Sequence, residues 1–182
     1  MSEQNDTQTI RDLVDRLTRL HAAEEWNGPL NPSQFAALSY LARANRFSRA
    51  PSHVADFLAT TRGTASQTLK ALARKDLIEE TRSETDKRSI RYDVTTEGRS
   101  LLSAPSELDD VVSRLPAEVA ASLAGSLKSL VLTMLHHRGG RSFGICNTCR
   151  HHETDGTKGY CRLLQVPLTA SETSQLCHEH AS

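Results

Sequence analysis

Apolar residues recur at helical spacing along most of the first 138 positions. Ile10, Leu13, Val14, Leu17 and Leu20 share one face and predict an amphipathic helix over 6–24, ended by Asn27-Gly28-Pro29. Asn31-Pro32-Ser33-Gln34 is a helix start: an N-cap, a proline at the first helical position, and Gln three residues after the cap. Phe35, Leu38, Leu41 and Ala42 then form one face of a second helix. Pro51-Ser52 opens a third, with Val54, Ala55 and Leu58 turned inward. After the Ala59-Thr60-Thr61 turn, Thr61 can cap a fourth helix whose Ala65, Leu69 and Leu72 recur on one side.

The period then changes. Residues 77–81 and 89–95 are short strand candidates, and Ile90, Tyr92 and Val94 alternate with Arg91 and Asp93. A polar connection, Ser83-Glu84-Thr85-Asp86-Lys87, joins them. Helical pattern resumes from Thr96 to Ser103, where Pro105 is expected to end or kink it. Leu108, Val111, Val112 and Leu115 carry the apolar face on. Pro116 opens a last long helix lined by Leu123, Leu127, Leu130 and Met134, and Gly139-Gly140 stops it. The predicted fold is mainly α with a small β-hairpin wing: a winged helix-turn-helix with dimerisation helices over 1–138. A small metal-dependent module over 139–182 follows.

Outside its apolar stripe the fourth helix leaves Arg62, Thr64, Ser66, Gln67 and Lys70, short hydrogen-bonding groups and cations suited to base edges and phosphates. The hairpin adds Lys87, Arg88 and Arg91, and Arg88 is placed to drop a guanidinium onto the backbone or minor groove. Asp86, two residues before it, can orient that guanidinium. On an isolated helix such residues would read as merely solvated. It is their place in the order helix, tight turn, helix, polar-tipped hairpin that points to DNA.

This stretch resembles the MarR family of bacterial transcriptional regulators. The likeness is carried by Thr64-Ala65-Ser66-Gln67-Thr68-Leu69, Leu77-Ile78, Asp86-Lys87-Arg88 and Val94-Thr95-Thr96-Glu97-Gly98, and it covers roughly 6–136. The resemblance implies a homodimer whose first and last helices intertwine and whose two winged domains bind a pseudo-palindrome. It places the wing arginine at Arg88, its orienting acid at Asp86, and helix contacts at Ser66, Gln67 and Lys70. Asp76 stands where the family usually has Gly, and Pro105 interrupts a helix that is often continuous.

Charge changes the picture little. Lys and Arg balance Asp and Glu at 22 each, so nucleic-acid binding must rest on local charge. The sequence is expected to hold no apolar run of about 18 residues and no signal segment, which predicts a soluble cytoplasmic protein with no membrane partner. The cysteines change it more. All four lie in the spacing Cys146-x2-Cys149-x11-Cys161-x15-Cys177, among His151, His152, His178 and His180. Two thiolates on one tight turn can face a metal, and Cys161 and Cys177 would complete a four-thiolate site for zinc or an iron–sulfur cluster. The alternative is reduced or redox-active thiols without metal. Phe143, Tyr160, Leu163, Leu164, Val166 and Leu168 are too few for a core of their own, so a metal would have to fold this segment. His136 and His137 read as cations at a helix C-terminus.

No nucleophile triad, phosphate loop or His-Glu-x-x-His helix is present in the sequence, and four thiolates would leave a metal no open position, so an enzyme is not expected. The expectation is a DNA-binding regulator with a structural or sensory metal site, answering to a small-molecule or redox effector. A protein-interaction scaffold and a Cys-x-x-Cys thiol oxidoreductase are the alternatives.

Overall fold

The computed structural model describes residues 2–25, 28–82, 90–103, 106–140, 143–155 and 158–181. Helix α1 (Ser2–Glu25) is followed by α2 (Pro32–Arg43), α3 (Pro51–Phe57) and α4 (Arg62–Ala73). The hairpin β1 (Ile78–Arg82) and β2 (Ile90–Val94) leads to α5 (Thr96–Leu101), α6 (Glu107–Ser113) and α7 (Ala117–His137).

The capping signals act as the sequence predicts. Asn31 Oδ1 accepts the Gln34 N–H at 2.9 Å, and Gln34 Oε1 accepts the Asn31 N–H in return at 3.4 Å. Thr61 Oγ1 accepts the Thr64 N–H at 3.1 Å and starts α4. Pro116 is the N-cap of α7, so the helix starts at Ala117, one residue after the expected start. The helix expected over 96–103 closes at Leu101, and Ser106 caps a separate helix beyond it. Pro105 lies outside the described residues.

Helices α2, α3 and α4 and the hairpin share one core, including Leu38, Tyr40, Leu41, Val54, Leu69, Leu72 and Ile78. The strands pair antiparallel, Ile78 opposite Val94 and Arg82 opposite Ile90. By contrast α7 has no buried residue, and Val119, Leu123, Leu127, Leu130, Val131 and Met134 are exposed along it. Ile10, Leu13, Val14, Leu17 and Leu20 of α1 are exposed as well. Helix α7 is long and apolar enough to cross a membrane by length and composition. This corrects the expectation that no such stretch exists. Alanines between its larger apolar residues keep the mean hydropathy high in spite of its serines and Lys128.

The joint between α4 and the wing explains two sequence signals. Asp76 takes the left-handed conformation (φ 56°), which Gly adopts without a Cβ clash. The turn it makes is held from outside, because Thr95 Oγ1 donates to the Asp76 carbonyl at 2.8 Å. Thr95 also caps α5, accepting the Gly98 N–H at 3.1 Å, and its own N–H donates to the Leu77 carbonyl at 3.1 Å. Gly98 is needed for space: a Cβ there would stand 2.2 Å from the Leu77 carbonyl oxygen and 2.8 Å from Val94.

Beyond α7 lies a second set of short elements. They are β3 (Gly144–Ile145), a 3-10 turn (Cys146–Thr148), β4 (His152–Asp155), β5 (Lys158–Cys161), β6 (Val166–Leu168), α8 (Ala170–Thr173) and β7 (Leu176–Cys177). Strands β4, β5 and β6 form one antiparallel sheet, and β3 pairs with β7. This segment is joined to the winged core. Phe143 meets Tyr40 and Phe57 edge-on, with ring centroids 5.8 and 5.1 Å apart, and Leu176 packs on the same core.

Because the Leu77 carbonyl cannot retreat without losing its bond from Thr95, Gly98→Ala is expected to destabilise the protein by about 1–3 kcal/mol. Asp76→Gly is expected to raise stability by about 0.5–1 kcal/mol by relieving the left-handed residue. Urea midpoints measured for both variants at constant m-value check the pair of opposite signs.

Candidate nucleic-acid interface and cysteine cluster

Helix α4 packs on α2 and α3 through Ala65, Leu69 and Leu72, all fully buried. The opposite face carries the predicted contacts: Arg62, Thr64, Gln67 and Lys70 are exposed and Ser66 is half-buried. Thr64 is partly engaged at home, its hydroxyl 2.9 Å from that of Thr61. Asp86, Lys87 and Arg88 lie outside the described residues. Arg91 is exposed on β2, with its Nε 3.7 Å from Asp93. At the base of the wing Glu80 accepts from Arg82 and from the Tyr92 hydroxyl, each at 3.0 Å. Those two bonds hold the Glu80 carboxyl below its usual range, while burial and Glu80 push the Tyr92 phenol up to about 12.

The wing is braced from below by a residue the sequence did not single out. Arg49 donates to the Ala44 carbonyl at 3.0 Å and ion-pairs with Asp93, and its carbonyl accepts the Tyr92 N–H at 3.1 Å. It sits in the turn between α2 and α3, where Asn45 and Ser48 are both only 1% exposed. The Ser48 hydroxyl donates to Asn45 Oδ1 at 2.7 Å, and the Tyr40 hydroxyl donates to the Ser48 carbonyl at 2.7 Å. Asn and Ser between two helices ordinarily signal a solvated turn. Nothing local in the sequence marks this one as buried.

The same turn receives the C-terminal segment. The Asn45 N–H donates to the Leu176 carbonyl at 2.9 Å, and the His178 N–H donates to Ser48 Oγ at 2.8 Å. Arg46 pairs with Glu172 at 2.9 Å and donates to the Pro167 carbonyl at 3.1 Å. The His178 ring stacks on His53 with centroids 3.8 Å apart and lies 3.1 Å from an Asp56 carboxylate oxygen. The cysteine segment therefore lies against the helix-turn-helix. Its backbone hydrogen bonds run to the helix-turn-helix, because β7 comes back alongside Ala44 and Asn45.

Cys146, Cys161 and Cys177 are buried in one small cluster with Leu168, and Phe47 of the α2–α3 turn packs against it. Cys149 is half-buried, and all four are free thiols. Burial pushes the Cys146 thiol up to about 12, and Cys177, Cys161 and Cys149 add to the shift, so the four sulfurs share one neighbourhood. Burial also raises the Cys177 thiol, while the polar groups around it, the Asn45 side chain first, oppose the shift. The Ala181 N–H donates to Cys149 Sγ at 3.4 Å. Among the described residues, no group of three or more His, Cys, Asp or Glu is already arranged to hold a metal ion. The thiols are neighbours without being drawn into a coordination set.

Three helices, a tight turn before the third and a hairpin after it define a winged helix-turn-helix. Residues 29–89, about a third of the chain, match the model described as MarR family. The fold is similar to that of S. aureus MepR, solved as a MepR–DNA complex (22% identity, TM-score 0.56, covering 70% of this chain and 96% of that one). It is also similar to Streptococcus pneumoniae FabT in complex with DNA (22%, 0.54, 70% and 96%). The transcriptional regulator BldR from Sulfolobus solfataricus is a third (19%, 0.56, 72% and 99%). No curated protein matches the chain.

Burial and the neighbouring His178 lower the pKa of His53 from 6.5 to about 4. As pH falls, the unfolded chain therefore binds this proton before the folded one. Stability is expected to be full above pH 6.5 and to fall as the pH drops from 6.5 towards 4. After allowance for the partial exposure of the ring, the loss should be about 1–2 kcal/mol. Urea denaturation across that window, compared with His53→Phe, should show the slope in the parent and a shallower one in the variant.

Proposed function

We propose that the protein is a homodimeric, sequence-specific, non-enzymatic transcriptional regulator that reads double-stranded DNA with α4 and the wing. The observation that carries this is the outward face of α4, where Arg62, Thr64, Gln67 and Lys70 stand exposed opposite a fully packed Ala65–Leu69–Leu72 stripe. Exposed amide and hydroxyl groups flanked by cations can bond to base edges while fixing phosphates. Ser66 and Arg91 belong to the same surface. By sequence alone, Lys87 and Arg88 are assigned to the same role, with Asp86 as the acid that would orient Arg88. The neighbours solved with DNA, MepR and FabT, support the same assignment. A cytoplasmic location follows from that role.

The dimer reading rests on apolar area. The exposed stripes of α1 and α7 are larger than monomers ordinarily leave to water, and in this architecture a second copy covers them. A cleft of about 410 Å³ between α3 and α7, lined by Phe57, Leu127, Val131 and Phe143, suits a small apolar effector.

The C-terminal segment is proposed to bind zinc or an iron–sulfur cluster through Cys146, Cys149, Cys161 and Cys177. Its support is the donor set: four free thiols in one neighbourhood and an N–H donor on Cys149 Sγ, which favours the thiolate a metal needs. Binding would draw the sulfurs together and displace their protons.

Gln67→Ala is expected to relax preference at one base pair per half-site, and Arg88→Ala to weaken binding to every sequence, each by about 1–3 kcal/mol. Salt-titrated binding to matched and mismatched duplexes separates the two. A parent-like Gln67→Ala profile would remove α4 from the reading role. Leu130→Asp should give monomer or insoluble protein with DNA binding lost, and light scattering of the parent should give twice the chain mass. A monodisperse parent monomer would refute the dimer.

A further inference from the structure

The cysteine segment is fixed to the turn that opens the helix-turn-helix. Strand β7 supplies the acceptor for the Asn45 N–H, and the next residue supplies the donor for Ser48 Oγ. Cys177 lies between these two bonds in sequence, so its placement is tied to both. From the other side Arg46 reaches out to Glu172 and the Pro167 carbonyl. That turn leads straight into α3 and holds the wing through Arg49 and Asp93. A change in the placement of Cys177 is thus felt by the Asn45 N–H and the Ser48 hydroxyl, and through this turn by both parts of the reading head.

We infer that the turn 44–49 is the joint through which metal at the four cysteines governs DNA affinity, with the bound form the tighter DNA binder. This rests on the metal and DNA readings above. With metal, the sulfurs are drawn together, β7 stays on Asn45 and Ser48, and the wing and α3 keep their mutual angle. Without it, the segment loses most of its folding free energy, since its own apolar cluster is small and includes Phe47 from the turn. Asn45 and Ser48 then lose their partners, and the reading head spends less of its time in one geometry. The coupling passes inside each winged unit, so the dimer remains intact in both states.

The full-length protein is used, purified without oxygen, with a duplex selected from a random pool by that protein. Metal content comes from elemental analysis, the dimer from light scattering, and affinity from salt-matched titrations. Samples are as purified, stripped with a chelator, and refilled with Zn²⁺. Stripping should weaken binding by about tenfold or more, within the ordinary range of allosteric coupling. Zn²⁺ should restore it, with the dimer unchanged throughout. Arg46→Ala, a half-exposed side chain away from the sulfurs, should keep its metal and lose most of the difference between stripped and refilled protein. Ser48→Ala should do the same. Cys161→Ser should hold no metal and bind DNA as the stripped parent does. If the parent holds metal and binds the duplex equally with and without it, the inference falls and both readings stand. If Arg46→Ala and Ser48→Ala respond to stripping as fully as the parent, the route through this turn is wrong. If neither purified nor Zn²⁺-treated parent holds metal, the metal reading falls and takes the inference with it. If no duplex is selected, the DNA reading falls in the same way.

Discussion

Asn45 and Ser48 are polar side chains sealed in an otherwise apolar core. A buried amide or hydroxyl left unpaired costs about 1–3 kcal/mol, so such groups fix whatever satisfies them. Here the partners come from far apart in the chain. Asn45 Oδ1 accepts from Ser48 and from the Phe47 N–H, Tyr40 of α2 closes on the Ser48 carbonyl, and β7 and His178 complete the set. Arg49 then extends the same turn to the wing. Four elements that share little sequence are positioned by one short polar segment, and a displacement of any one leaves a polar group of another unpaired.

What was legible in the sequence is what is decided locally. The Asn31 and Thr61 caps depend on residues three positions apart, and period-two alternation at Ile90, Tyr92 and Val94 depends on one strand. The exposed face of α4 follows directly from its apolar stripe. The turn 44–49 was not legible, because its burial is created by residues 130 positions away. Phe143 and Leu176 were misjudged for the same reason. Phe143 was counted as part of a poor second core and Leu176 was not counted at all, yet both pack on the first one. The left-handed Asp76 could be suspected from family likeness alone, and the bond that holds it, from Thr95, is again non-local.

The wing shows how a chain of zero net charge can still present cations. Its acids are placed as struts: Asp93 is shared by Arg49 and Arg91, and Glu80 by Arg82 and Tyr92. They stiffen the hairpin and reduce its long-range field at the same time. In the proposed DNA-binding role, non-specific attraction to phosphates would therefore be weaker than for a basic domain, and a larger share of selectivity would come from short-range contacts on α4.

The bond between His178 and Ser48 spans 130 residues, and during synthesis the two ends are made at different times. The winged segment emerges with its α2–α3 turn incomplete and with Tyr40 and Phe57 still awaiting Phe143. Helices and hairpin can form early from local contacts, but closing so long a loop comes last and slowly. Until the last strand arrives, the nascent head is a partly satisfied intermediate, and cutting the chain after α7 would remove part of the head's own interior.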